Sequence, residues 1–278
     1  MILIALLVAL SIERVVHLPA FWHLDFYLSR WVQWSQEKLQ SSSHKNKLEH
    51  PLVQLLWLLI PAILAGLLVS WLDHLLVTFI CGIIALLISV SCQPARQAYK
   101  CYLKAANKGD ADAVEEHKKS LQQLAGHDQD IAIEDTVSWL NYQYYVAVIF
   151  FYVAFGVFGA LAYASIRLAD SHYRETFNRL PLCRLRWAID FIPVRLTGLG
   201  LLLVGNFSQA LPTWLQSLGD FSTPSHEILA KLTDKAEDLP HHPDDKTDAV
   251  TKQLELMKRQ QIAWLCVIAV LTLWGGLH

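Results

Sequence analysis

The stretch PLVQLLWLLIPAILAGLLVSWLDHLLVTFICGIIALLISVSC, Pro51 to Cys92, decides the fold: its only formal charge is Asp73, with His74 beside it. A helix needs about 20 apolar residues to cross the hydrocarbon of a bilayer. The stretch therefore divides into two spans around a polar Asp73-His74 reversal, a transmembrane helical hairpin over 51–92. Pro61 and Gly66 fall inside the first helix, where packed neighbours in a membrane protein re-satisfy the interrupted backbone bonds.

The same pattern recurs on either side. Of the 278 residues 54% are hydrophobic and 17% charged, whereas about a quarter of a soluble domain is charged. Tyr144 to Ile166 carries no charge and has Gly156 and Gly159 near its centre; Ile262 to Leu277 closes the chain. Met1 to Ile12 and Ile192 to Val204, the latter containing Pro193 and Arg195, are shorter and read as partial or tilted spans. Met1 to Ile12 lacks the basic start and small-residue cleavage pattern of a signal peptide, so residues 1–16 read as a retained N-terminal anchor. The expected fold is all-α: a polytopic helical integral membrane protein with broken or re-entrant helices and helical cytoplasmic inserts. It is read as one membrane domain, 1–278. After the hairpin come a cytoplasmic helical insert at 93–142, broken or re-entrant membrane segments at 143–206, a second insert with a flexible loop at 207–260, and a C-terminal transmembrane helix at 261–278.

Lysine and arginine in short loops mark the cytoplasmic side. Arg30, Lys38, Lys45 and Lys47 precede the hairpin, and Arg96, Lys100, Lys104 and Lys108 come after it, which is consistent. Arg167, Arg174, Arg179, Arg184 and Arg186 come after the third apolar block, and a single crossing there would put them outside. Two readings stand. Either residues 144–166 form two half-helices that turn back at Gly156-Val157-Phe158-Gly159, with all basic segments inside and both termini outside, or they form one span and then an unusual loop.

The inserts read as helices. Asp110 to Gly126 has Asp112 three residues before Glu115, like a capping box, an i,i+4 pair of Glu115 with Lys119, and Gly126 as a stop. Thr223-Pro224 opens a helix through Leu232, and residues 234–250, charged and with two prolines, read as a flexible loop.

Function classes narrow by exclusion. A net charge of −2 gives no field for nucleic acid. The five cysteines form no CxxC pair, and the phosphate-loop, dinucleotide, GxSxG and HExxH signatures do not occur. His241-His242 with Asp244 and Asp245 has ligand chemistry but lies in the flexible loop, without fixed geometry. No catalytic residue, metal or cofactor is expected. What remains are ionisable residues at the edges of apolar blocks: Glu13, Asp128, Asp135, Asp170, Asp190 and Arg195. Each is either an interfacial anchor or part of a site, since a charge there is costly unless paired or hydrated. Arg195 beside Pro193, five residues after Asp190, reads as a cation at a broken helix start, able to hold an anion.

Two stretches then carry a family resemblance: DFIPVRLTG at 190–198, similar to a DWVPVRLAG-type segment, and ALPTWLQSLGDF at 210–221. With LSIER at 10–14, HLD at 23–25 and LTLWG at 271–275, they resemble the AmpE family over nearly the whole chain. The resemblance implies a multi-pass protein of the bacterial inner membrane. Its gene would neighbour that of AmpD, a cytoplasmic amidase that recycles anhydro-muropeptides. The implied role is regulatory or sensory, linked to cell-wall recycling and control of β-lactamase induction. The implied partners are the lipid bilayer, a muropeptide or other anionic small molecule, and a protein of the AmpD pathway.

AmpE in turn resembles the CobD/CbiB membrane synthases of cobalamin biosynthesis. GHD at 126–128 is similar to their GRD, ADS at 169–171 to their LDS, and PVRL at 193–196 to their PARL. This carries Asp128, Asp170 and Arg195 forward as an ancestral pocket, to which Asp190 is added. Where the synthases have an ETVAENTVDG-type segment this chain reads DTVSWLNYQY at 135–144, with Trp139 and Leu140 in place of acid and amide. That departure opposes the alternative reading, an ATP-dependent carboxylate-amine ligase or transferase. A regulator with a vestigial ligand pocket of Asp128, Asp170, Asp190 and Arg195 is the favoured expectation.

Overall fold

In the computed structural model the described residues are 1–16, 19–40, 50–72, 74–126, 131–177, 180–237 and 246–275. Asp73, Asp128 and the histidine pair of 238–245 lie outside them. Among the described residues there is helix and turn but no strand. The helices are α1 (Ile2–Val15), α2 (Leu24–Gln40), α3 (Pro51–Leu72), α4 (Leu75–Val90), α5 (Gln93–Lys108) and α6 (Ala111–Ala125). Then come α7 (Ile133–Asn141), a π-helical turn (Tyr142–Val146), α8 (Ala147–His172), α9 (Leu182–Val204), α10 (Phe207–Leu218), α11 (Ser225–Ala236) and α12 (Lys246–Leu273). Five helical runs are long and apolar enough to cross a membrane by length and composition: Pro51–Leu72, Leu75–Lys108, Ile133–His172, Leu182–Val204 and Ala249–Leu273.

Several boundaries differ from expectation for identifiable reasons. α9 is a full-length helix starting at Leu182, not a partial span from 192, and passes through Pro193 without a break. α11 runs to Ala236 and α12 starts at Lys246, so both ends of the expected loop are helical. Ala236 and Val250, at 2% and 0% exposure, are the isolated apolar residues that pin those ends. The cap of α6 is Asp110, not Asp112: its Oδ1 accepts from the N–H of Ala113 at 3.1 Å. The Glu115–Lys119 pair forms at 3.7 Å, and Gly126 ends the helix at φ 76°.

The chain divides into two compact units, Met1–Ser91 with Val148–Arg186 and Thr272–His278, and Cys92–Ala147 with Trp187–Leu271. In the first, α1 packs on α4 through Ala5, Leu6 and Ala9, all at most 2% exposed. The start of α2 is tied down by His23, whose Nδ1 lies 2.6 Å from Ser91 Oγ, and by Asp25, which accepts from Tyr173 at 3.0 Å. Trp31, Trp34 and Trp57 form a triangular cluster, with Trp31 5.3 and 5.2 Å from the other two rings, and its indole N–H donates to the Trp57 carbonyl.

The decisive feature of this unit is α8. Gly156 has φ 61° and ψ −145°, outside helical space and in a region that only glycine enters cheaply. Beyond it the chain doubles back: the rings of Phe151 and Tyr163 stack at 5.0 Å, although twelve residues of straight helix would separate them by about 18 Å. A Cβ on Gly159 would collide with the Phe151 carbonyl oxygen, so the two arms meet backbone to backbone. Tyr152 of the first arm packs against Gly82 of α4, and Arg167 of the second donates to the Ser89 carbonyl at 3.1 Å. Arg167 is thus level with the end of α4, and the tip at Gly156 lies about 16 Å deeper at 1.5 Å per residue. The far end of α4 at Leu75 lies about 21 Å from Ser89 by the same measure. The hairpin therefore turns before the end of its neighbouring helix and returns its basic segment to the end it entered from.

Candidate functional site

In the second unit the polar residues gather around α9 and the π-helical turn. A π turn inserts one residue into the helical register, and such turns concentrate at functional positions. Here it aims three polar side chains at three different helices. Tyr142 donates its hydroxyl to Asp190 of α9 at 2.9 Å, with both residues at most 1% exposed. Gln143 donates to the Ala125 carbonyl at the end of α6 at 3.2 Å. The hydroxyl of Tyr145 accepts from Arg96 of α5. A buried carboxylate is tolerable only when hydrogen-bonded, and a bond from a hydroxyl to an ionised group is among the stronger kinds. Trp139, one turn earlier, stacks on Tyr142 at 5.0 Å and meets His226 of α11 edge-on at 6.0 Å. Burial lowers the pKa of His226 below its ordinary value.

Further along α9, Arg195 is 6% exposed; its two terminal nitrogens bond carbonyls, while Nε is buried without a hydrogen-bond partner among the described residues. Nη1 bonds Phe191 O at 2.9 Å, one turn back, and Nη2 bonds Asp220 O at 2.5 Å in the loop between α10 and α11. The guanidinium also lies 3.5 Å from the centre of the Phe191 ring, and that ring stacks on Phe221 at 5.1 Å. Trp214 of α10 closes the other side, its indole N–H donating to Arg195 O at 2.8 Å. The close approach requires Gly198, where a Cβ would lie 2.7 Å from both Trp214 and Leu232. The loop itself is held by Asp220, which accepts from the hydroxyls of Thr223 and Ser222 and from both their N–H groups. Those bonds, Thr223 first, hold its carboxyl well below the usual carboxylate range.

The third expected site residue, Asp170, belongs to the first unit. It accepts from Arg174 Nε at 3.1 Å and pairs with Arg186 at 3.8 Å, while Arg186 also lies 5.8 Å from the Tyr163 ring centre. Asp170 is thus held at the base of the folded-back α8, and Asp190 and Arg195 are neighbours along α9. One expectation is corrected: because α9 is continuous through Pro193, Arg195 does not stand at a helix start, and no terminal N–H groups accompany it. Tyr142, Tyr145, Trp214 and Asp220 were not singled out by the sequence. The last two lie inside the ALPTWLQSLGDF stretch and were therefore within reach of it. The tyrosines had only the signal of a polar-tipped aromatic run, YQYY, opening an apolar block.

The long apolar helical runs define a multi-pass, all-α membrane protein, and its buried ionisable groups bond to one another, to hydroxyls and to backbone carbonyls. A family model described as "Regulatory signalling modulator protein AmpE" matches residues 1–278, and the chain belongs to that family. It is 28% identical over 295 residues to Protein AmpE of Shigella flexneri, with 100% of both chains covered. No solved structure matches it. The two stretches that carried the resemblance, 190–198 and 210–221, are the ones that Arg195, Trp214 and Asp220 bond together.

Proposed function

We propose that this protein is a regulatory and sensory component of the bacterial inner membrane, linked to cell-wall recycling and to control of β-lactamase induction. The observation that carries the reading is the match to the regulatory AmpE family along the full chain. The π-helical turn supports it physically, because one short segment bonds to α5, α6 and α9. A segment bonded to three helices is placed to couple them, which is what a signalling element requires. The basic segments face the cytoplasm in this reading. An anionic muropeptide fragment or a protein of the AmpD pathway is the input, acting through Asp190 and Arg195 of α9. Arg195 Nη1 and Nη2 bond two carbonyls and so also position α9 and the 219–223 loop.

The test is β-lactamase activity after β-lactam challenge in a strain lacking the gene. Deletion is expected to change the induction ratio several-fold, with restoration by the wild-type gene and not by a Tyr142→Phe/Asp190→Asn variant present at equal level in the membrane. Identical induction curves with and without the gene would overturn the reading.

A further inference from the structure

α5 has three faces, and two are already engaged. Ala95, Tyr102 and Ala105 are buried, at 3 to 6% exposure, and α5 packs on α6. Arg96 is bonded to Tyr145 in the π turn. The remaining face carries Lys100, Lys104 and Lys108, all exposed and spaced by four residues. At 100° per residue their mean direction lies about 150° from that of the buried trio. α5 contains no acidic residue. Like charges at i,i+4 oppose helix formation, and only Lys108, in the last turn, gains from the carbonyl end of the helix. α6 next door behaves in the ordinary way, mixing signs and pairing Glu115 with Lys119. A helix face of one sign, carrying repulsive pairs, is complementary to an anionic surface.

Where α5 begins narrows the choice of surface. Only Ser91 and Cys92 separate it from α4, which forms most of the apolar part of the Leu75–Lys108 run. The headgroup field decays over about 10 Å at 0.1 M salt; Lys100 to Lys108 lie about 12 to 24 Å of helix rise past Cys92, so the face reaches it with α5 lying along the bilayer surface. We propose that the Lys100-Lys104-Lys108 face of α5 binds the anionic phospholipid headgroups of the bilayer that the chain crosses. Through Arg96 and Tyr145 that contact reaches the π turn, so headgroup charge becomes an input to the element that holds Asp190. This goes beyond the regulatory reading and does not depend on it.

The native Cys101, exposed on α5 beside Lys100, gives the probe. The full chain, with Cys183 and Cys266 replaced by serine, is spin-labelled at Cys101 and reconstituted in nanodiscs of phosphatidylcholine alone or mixed with phosphatidylglycerol. Accessibility of the label to a water-soluble relaxation agent is expected to fall several-fold in the anionic discs and to recover in high salt. It is also expected to stay high in a Lys100→Gln/Lys104→Gln/Lys108→Gln variant, whose changes are confined to exposed positions. Equal accessibility in the two lipids would overturn the proposal. So would protection in neutral discs on adding inorganic phosphate without any effect of lipid, since that assigns the face to a soluble anion.

Discussion

Two helices of this protein carry a helix breaker in an apolar stretch, with opposite outcomes. At Gly156 the helix stops and reverses; at Pro193 it continues unbroken for eleven more residues. Proline removes one backbone donor and crowds the preceding turn, yet around Pro193 side chains bond the neighbouring carbonyls: Thr197 donates to Pro193 O at 2.7 Å and Arg195 to Phe191 O. Around Gly156 the chain adopts a backbone conformation closed to other residues, and the arms close on each other through Phe151, Gly159 and Tyr163. A breaker is an opportunity rather than an instruction. At Pro193 only the Ile189 carbonyl loses its donor and the helix runs on, whereas at Gly156 the packed arms hold a reversal.

The contrast can be tested by substitution, with stability read from thermal or denaturant unfolding in detergent. The largest effect is expected at Gly159→Ala, because the new methyl meets a backbone oxygen that cannot rotate away; a loss of about 3 kcal/mol or more is expected. A loss under about 1 kcal/mol would show that the arms are not in backbone contact. Gly156→Ala comes next. Its surroundings are open, so the cost is conformational alone, about 2 kcal/mol, and a neutral result would mean that the reversal does not need positive φ. Arg195→Met removes two bonds to carbonyls and keeps much of the apolar stem, and a loss of about 1 to 2 kcal/mol is expected. Pro193→Ala should be the mildest, within about 1 kcal/mol of the parent in either direction. A large loss there would mean that the proline shapes α9 in a way its continuous helix does not reveal.

The sequence made the architecture legible because membrane spans are written in composition. The Pro51–Cys92 stretch has one charge, and no other reading accommodates it. It also located the reversal at Gly156–Gly159 as one of two readings, through the conflict in arginine placement. It misjudged α9, since Pro193, Asp190 and Arg195 look like a broken span when counted as residues. They become compatible with a continuous helix only once Tyr142, Phe191 O and Asp220 O are known as their partners. Those partners come from elements up to 48 residues away, and local pattern carries no record of them. The same holds for the cap of α6, where the capping-box spacing to Glu115 pointed to Asp112 and only backbone geometry chose Asp110.

The stacked indoles of Trp31, Trp34 and Trp57 join α2 to α3. Rings fixed against one another in a chiral setting should give a near-ultraviolet dichroism band that freely rotating indoles lack. Should α2 peel away, that band would vanish while the far-ultraviolet spectrum stayed helical, giving an optical gauge of this one junction with no label attached.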